Sequence, residues 1–229
     1  VPKGSRRVAF DFGATRSVYV TNERDDTVLR LREDAPGNFS VLAPLELQGR
    51  GPGAIAVLPG GKVMVGNRST LEIEVLDPSL PPASATVART ALGAIPTDIQ
   101  VAGSVALVAG ITFPPANKVF ELSLTSFAVT RTLFLNTGTD YLDLALAPPY
   151  LAVVAGGSGT VIVADATTFV RLATVDLAPG DPAGTPQQAA FVAGALGAPA
   201  QLWTVDYFRE SARALELAGG PPFALGAEV

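Results

Sequence analysis

Short apolar runs follow one another along the whole chain, and each is interrupted after a few residues by a turn. In runs such as Ser17–Thr21 and Val28–Arg32, apolar and polar side chains alternate, and β-branched residues are frequent. Alternation with a period of two is typical of strands that bury one face of a sheet. The turns between the runs are rich in glycine and proline, of which the chain has 23 and 19. Only residues 208–217 tolerate a helix, so the pattern predicts an all-β chain.

The strands and turns recur with a period of about 45 residues. A turn proline precedes the first strand of a repeat at Pro52, Pro96 and Pro186, which are separated by 44 residues and by twice 45. Four short strands in a repeat of this length predict a β-propeller, in which each repeat forms one blade. Five four-stranded blades fit the chain, at roughly residues 6–48, 49–93, 94–136, 137–178 and 179–229. We therefore predict a single propeller domain over residues 1–229; the alternative is a fragment of a six- or seven-bladed propeller.

Polar residues at fixed places in the repeat are interpreted as turn residues. The turn between the third and fourth strands contains Asp34, Asp77, Ser123 or Asp165, whose side chains can bond the backbone two residues on. The fourth strand then begins at an aromatic residue in four repeats, namely Phe39, Phe127, Phe169 and Phe223. Asn22 and Asn67 end the second strand, where we expect left-handed backbone and a capping side chain.

The second strand of the first repeat, Val18-Tyr19-Val20-Thr21-Asn22, resembles the YVTN family of β-propeller repeats. The second repeat matches the family pattern in order, with Gly51-Pro52, Ile55-Ala56-Val57, Pro59-Gly60-Gly61, Val63-Met64-Val65-Gly66-Asn67 and Asp77. Later repeats have Gly110 and Gly156 in place of the asparagine, and the fifth departs furthest, with Trp203-Thr204-Val205-Asp206. The resemblance covers essentially the whole chain. It implies a propeller and an extracellular or periplasmic protein of a bacterium or an archaeon, and it supplies no catalytic residues.

The composition excludes several kinds of chemistry. The chain has no histidine and no cysteine, so it cannot itself carry a Ser-His-Asp triad, a histidine-ligated zinc or a thiolate nucleophile. Its net charge of −5 is unfavourable for binding duplex nucleic acid. The longest apolar run, around residues 142–157, is broken by Asp143 and by Pro148-Pro149, so no membrane span is expected.

One residue of each repeat stands directly before the first core position of the first strand. In chain order these slot residues are Arg7, Ala54, Asp98, Asp143 and Gln188. Because the first strand of each blade lines the central channel, we expect them at one channel mouth, with Asp140 nearby. Such an oxygen-rich group can hold a small polar ligand or a Ca²⁺ or Mg²⁺ ion. The alternative is a solvated entrance with an internal Arg–Asp pair, and no other cofactor is expected.

Other charged and aromatic residues are further candidates. Arg30 and Arg32 have the opposite strand parity to Glu72 and Glu74 of the next repeat, which favours ion pairs across the first seam between blades. The alternative is that the two charge pairs point away from each other, toward the fifth and third blades. The run Glu23-Arg24-Asp25-Asp26 is interpreted as a solvated hairpin tip. Trp203 and Tyr207, if exposed, suit contact with a sugar or a protein.

These features predict a binding or scaffold module without catalytic activity. Loops on one propeller face would contact a protein or a cell-surface polymer. One alternative is a metal-dependent hydrolase of the lactonase type, which would use Asp98, Asp140 and Asp143 in the channel. The other alternative is a carbohydrate-binding propeller that uses Trp203 and Tyr207.

Overall fold

The computed structural model describes residues 5–13, 16–112, 117–135, 142–177, 186–193, 199–206, 211–217 and 224–228. Within these ranges the strands form five antiparallel sheets, each made of four strands that are consecutive in the chain and hydrogen-bonded in order. The all-β prediction is therefore confirmed. Even the stretch that tolerates a helix contains a strand, Ser211–Glu216.

The twenty described strands and two short 3₁₀ helices follow the predicted punctuation. The first sheet contains β1 (Ser5–Asp11), β2 (Ser17–Asn22), β3 (Thr27–Ala35) and β4 (Asn38–Glu46). The second contains β5 (Pro52–Val57), β6 (Val63–Asn67), β7 (Glu72–Leu76) and β8 (Thr86–Ala91), with a 3₁₀ helix at Pro82–Ser84. The third contains β9 (Ile95–Ala102), β10 (Val105–Ile111), β11 (Lys118–Ser123) and β12 (Val129–Phe134). The fourth contains β13 (Leu142–Ala147), β14 (Tyr150–Ala155), β15 (Thr160–Asp165) and β16 (Arg171–Asp176), with a 3₁₀ helix at Gly156–Ser158. The fifth contains β17 (Pro186–Ala193), β18 (Pro199–Asp206), β19 (Ser211–Glu216) and β20 (Ala224–Glu228).

The chain divides into two compact units, each with its own core. One unit comprises Val1–Gly110 and Phe120–Thr132, and the other comprises Ile111–Val119 and Leu133–Val229. In the first unit the first and second sheets pack face to face through side chains that include Tyr19, Val28, Leu45, Ile55, Val63 and Val65. The opposite face of the second sheet packs on the third through Ala54, Met64, Val75, Ile99, Val108 and Phe120. In the second unit the fourth and fifth sheets pack through Ala152, Val154, Val163, Leu202 and Leu215. Alternation along each strand thus gives both faces of a sheet an apolar surface.

A recurring backbone hydrogen bond marks the repeat in four sheets. The amide of a leucine just after the fourth strand donates to the carbonyl of a residue in the turn between the second and third strands, at 2.9 to 3.1 Å. The donor–acceptor pairs are Leu47 and Asp26, Leu92 and Leu71, Leu135 and Asn117, and Leu177 and Gly159. Three of these acceptors, Asp26, Leu71 and Gly159, have left-handed backbone with φ of 51°, 57° and 64°. The repeat is therefore present in the hydrogen bonding as well as in the sequence.

The predicted polar turns are present in three of the four places. Asp77 Oδ1 accepts from the amide of Ser79 at 3.0 Å, Ser123 Oγ from the amide of Thr125 at 3.2 Å, and Asp165 Oδ1 from the amide of Thr167 at 2.9 Å. Asp34 is the exception, because β3 continues through it to Ala35. There the amide of Gly37 donates to Glu33 Oε1 at 2.9 Å instead.

The aromatic residues predicted to begin the fourth strand, and the asparagines predicted to end the second, differ in backbone conformation. Phe127 and Phe169, just before β12 and β16, are left-handed, with φ of 55° and 61°. Phe39 lies inside β4, and Phe223 lies outside the described residues. The left-handed prediction for Asn22 and Asn67 is wrong, since both end extended strands and the left-handed residue comes four positions later, at Asp26 or Leu71. The capping role holds for Asn22, whose Nδ2 donates to Asp25 Oδ2 at 2.9 Å.

The prediction of ion pairs across the first seam is wrong, although the sheet faces on which the charged residues lie were predicted correctly. Arg30 shares a face with Tyr19, and Glu74 shares a face with Val65, so both charges point toward the seam. Glu74 instead accepts from the backbone amides of Gln48 and Gly49. Arg32 Nη2 pairs with Asp34 Oδ1 at 2.9 Å, and Glu72 Oε1 pairs with Arg89 Nη2 at 2.8 Å.

Helices in the described ranges are all too short to cross a bilayer, which agrees with the absence of a predicted span.

The buried phenol of Tyr19 predicts an alkaline limit to stability. Burial raises the pKa of Tyr19 above its ordinary value of 10.0, and a hydrogen bond with Ser17 offsets only part of that rise. The folded chain then holds this proton more tightly than the unfolded chain, so we expect the free energy of unfolding to fall as the pH rises above 10.0. Urea titrations between pH 8 and 11 should show a shallower decline for Tyr19→Phe than for the parent. Identical declines would contradict this prediction.

Candidate functional site

The first three slot residues lie on edge strands of three sheets in the first unit. Arg7 is on β1, Ala54 on β5 and Asp98 on β9, and β5 packs against both of the other strands. Arg7 Nη1 lies 3.9 Å from Asp98 Oδ1, with side chains 25% and 10% exposed. The guanidinium therefore spans from the first sheet to the third, and the small methyl group of Ala54 in the slot between them leaves room for it. The internal Arg–Asp pair, one of the two sequence-based alternatives, is present.

The backbone at Arg7 is held by the threonine of the Tyr-Val-Thr-Asn strand. Thr21 Oγ1, which is buried, accepts from the Arg7 amide at 3.1 Å and donates to the Arg7 carbonyl at 3.4 Å. The register of β1 on β2 shifts between Ser5 and Val8, and the two Thr21 hydrogen bonds hold the backbone at this irregularity.

The remaining slot residues belong to the second unit. Asp143 is buried, and its Oδ2 accepts from the backbone amide of Ala189 at 3.2 Å. It therefore ties β13 to β17 beside Gln188, whose side chain is exposed. Asp140 lies outside the described residues. Within the parts of the chain that the structure describes, no three acidic side chains come together as a candidate metal group.

Trp203 lies on β18 and is only half-buried. Its indole Nε1 donates to Gln201 Oε1 at 2.9 Å, and Gln201 Nε2 donates to Glu216 Oε1 at 2.5 Å. This polar chain holds the indole along the sheet. Tyr207, the other aromatic candidate, lies outside the described residues.

A rigid rim of turns in the first unit was not predicted as a site. It consists of the turns at 22–26 and 67–71 and the connecting segment at 47–51, here named the turn rim. Asp26 Oδ1 accepts from the Gly51 amide at 2.7 Å, so the acidic run that suggested a solvated tip is anchored at its last residue. The amides of Arg68 and Ser69 donate to the carbonyls of Gly51 and Arg50 at 2.9 and 3.1 Å. Backbone bonds therefore join the three segments of the rim.

A buried carboxylate fastens the rim from beneath. Glu74 is 0% exposed and accepts four hydrogen bonds. The donors are the amides of Gln48 and Gly49 at 2.9 Å each, Asn67 Nδ2 at 2.8 Å and Thr86 Oγ1 at 2.5 Å. The sequence contains a signal that could have indicated this buried carboxylate. Glu74 stands in the otherwise apolar run Ile73-Glu74-Val75-Leu76, and a charge that is buried with such a strand needs hydrogen-bond partners.

Comparison with solved structures identifies the architecture. The chain superimposes on a virginiamycin B lyase from Staphylococcus aureus with a TM-score of 0.70 at 10% identity, over 97% of this chain and 69% of the lyase chain. It also superimposes on the hydrazine synthase of Kuenenia stuttgartiensis with a TM-score of 0.58 at 13% identity, over 99% of this chain and 86% of the other. Both are β-propeller proteins. The chain has a β-propeller fold. At these identities the likeness extends to the fold alone.

The two comparisons based on sequence found no match. No protein-family model matches the chain. No curated protein matches it either. Arg7, Ala54 and Asp98 lie on β1, β5 and β9, which are edge strands of their sheets.

Proposed function

We propose that the five sheets are five consecutive blades of one propeller and that the chain is a binding scaffold which uses the turn rim. The observation that carries this proposal is the hydrogen-bonded fixation of the rim. Its three segments are joined by backbone bonds and fastened by Glu74. Loops on a rigid scaffold commonly carry binding, and a loop that is already ordered loses less entropy on binding.

The exposed side chains of the rim suit a polar partner of mixed charge. Arg24, Asp25 and Arg50 are exposed, and Arg68 Nη1 lies 3.8 Å from Glu23 Oε1. Cations and anions alternate along this edge, which complements a protein surface or a charged cell-surface polymer. The aspartates that support the lactonase alternative make structural contacts, Asp98 with Arg7 and Asp143 with the Ala189 amide.

We also propose that the chain is a YVTN-type repeat protein of the cell exterior. The Tyr-Val-Thr-Asn strand supports this, because three of its four side chains make contacts that hold the first sheet in place. Tyr19 packs between the first and second sheets, Thr21 binds the backbone of Arg7, and Asn22 caps the next turn. These motif residues thus serve the scaffold, while exposed rim residues such as Arg24 and Arg50 are available for binding.

Charge reversal at the rim tests the binding function. We expect Arg24→Glu combined with Arg50→Glu to weaken binding to an immobilised cell-wall polymer or extracellular protein fraction about tenfold, since each exposed charge contributes roughly 0.5–1 kcal/mol. Binding is measured by surface plasmon resonance against purified peptidoglycan, teichoic acid, a glycan array and the protein fraction.

Arg32→Glu is the matched control, because Arg32 is an exposed arginine at the far end of β3 and should leave binding unchanged. Equal losses in both variants would argue against the rim, and binding to none of these probes would overturn the proposal. Binding that requires added Ca²⁺ or Mg²⁺ and survives the rim variant would instead favour the channel alternative.

A further inference from the structure

The first sheet has one covered face and one exposed apolar face. The covered face packs on the second sheet through Tyr19, Val28 and Leu45. The other face, here named the open face, includes Val8, Phe10, Phe12, Phe39 and Val41, which are 49%, 56%, 85%, 44% and 76% exposed. By strand register, the less exposed Val18, Val20, Leu29 and Leu31 lie between them on the same face. Five large apolar side chains on one face form a contiguous patch of the kind that marks an interaction site.

The same positions of the repeat are covered in the second sheet. Val8 pairs with Val20 just as Ile55 pairs with Val65, so Val8 and Ile55 are equivalent, and the next same-face pair, Phe10 with Val18, is equivalent to Val57 with Val63. In the second sheet Ile55 is 8% exposed, and Val63 and Val65 are 0% exposed, because the first sheet lies over them. The open face therefore has the residue pattern of a covered face, and within the first unit no described sheet packs on it.

The shape and charge of the open face also suit a blade better than a small molecule. The rings of Phe10 and Phe12 are stacked, with centroids 5.9 Å apart and planes 12° apart. They line an open cavity of about 280 Å³ together with Val18 and Phe39. At the cavity's edge Arg16 Nη1 pairs with Glu33 Oε2 at 3.2 Å, and Asp11 Oδ1 accepts from the Gly13 amide at 2.8 Å, so the charged groups that line the cavity already have partners.

We propose that a further four-stranded blade of the same repeat, carried by a longer form of this polypeptide, covers the open face. The inference rests on the proposed assignment of the sheets as blades. The covering surface would resemble the face that the second sheet turns toward the third, with Ala54, Ala56, Met64 and Val75. Within each unit, neighbouring sheets pack through apolar faces of this kind, so the proposed interface would repeat one already present in the molecule. The lyase has the length for such an addition, since this chain covers 69% of it.

Single-cysteine labelling tests the inference cleanly, because the chain has no cysteine of its own. The probe is Val8→Cys, with Val41→Cys as a second, more exposed probe, and Ile55→Cys is the matched control at the equivalent covered position. In the 229-residue chain we expect maleimide to label the two probes at least tenfold faster than the control. In the polypeptide expressed from the complete gene, labelling of Val8→Cys should slow to the rate of Ile55→Cys.

Each other result counts against the inference. Fast labelling of Val8→Cys in both polypeptides, or a complete gene that encodes no further blade, would overturn it. Slow labelling in the 229-residue chain at every dilution would mean that the chain covers its own face. Protection that grows with protein concentration would identify a second copy as the occupant. Fast labelling of Ile55→Cys would remove the seam on which the comparison rests. Binding at the turn rim is measured separately, so failure of the rim proposal leaves this readout intact.

Discussion

Replacing Glu74 with alanine is expected to lower the free energy of unfolding by about 4 kcal/mol. The substitution removes the acceptor of four donors in a site that is 0% exposed. Two of those donors are the amides of Gln48 and Gly49, which cannot turn away because the segment is held on both sides. Each buried donor left without a partner costs about 1–3 kcal/mol, and only part of that is recovered when water enters the cavity.

Urea denaturation followed by circular dichroism measures this effect. Glu46→Ala is the matched control, because Glu46 is an exposed glutamate of β4 and its loss should change stability by less than about 0.5 kcal/mol. Glu74→Gln should fall between the two, since one amide oxygen can still accept while the amide nitrogen faces donors. A loss below about 1 kcal/mol for Glu74→Ala would show that the rim does not depend on this carboxylate.

Replacing Gly49 with alanine is expected to cost about 2–3 kcal/mol, the second-largest effect. A β-carbon at Gly49 would overlap the amide group of Asn67 and come within 2.5 Å of Glu72 Oε1. Both neighbours are buried and already bonded, Asn67 to Glu74 and Glu72 to Arg89, so neither can move without breaking a hydrogen bond. The added methyl group must therefore displace the rim segment itself.

Gly53→Ala is the control for this prediction. Its β-carbon would meet Arg68 Cδ at 2.6 Å, but that atom belongs to a flexible side chain which can swing aside. We expect a change of less than about 1 kcal/mol there. If both glycine variants unfold at the same urea concentration, the close packing around Asn67 does not limit the backbone at Gly49.

The elements of this fold could be predicted because they depend on local chemistry. Strand alternation and the spacing of Pro52, Pro96 and Pro186 were sufficient for four-stranded units of about 45 residues. Asp77, Ser123 and Asp165 formed the predicted turns because a side-chain oxygen reaches an amide two residues on without help from the rest of the fold. Asp34 failed because β3 and β4 stay paired through Ala35 and Asn38, which moves the turn past it.

Charged residues were predicted less well, because their partners are chosen by competition. Arg30 and Glu74 do face the same seam, as strand parity indicates, yet Glu74 is taken by backbone amides. Those amides lie in the segment at 47–51, about 25 residues away in sequence, and the pattern of strands does not predict that they contact Glu74. Arg7 and Asp98 were predicted to share a site, and the structure places Arg7 Nη1 3.9 Å from Asp98 Oδ1.

The sequence by itself determined the strands, their grouping in fours and the two apolar faces of each sheet, because alternation and turn chemistry act within a few residues. Only the tertiary structure decided which of those faces is covered, since burial depends on what another part of the chain places there. Val8 and Ile55 show this most directly. They occupy the same position of the repeat, and one is 49% exposed while the other is 8% exposed, because within the described part of the first unit a sheet packs over Ile55 and none packs over Val8.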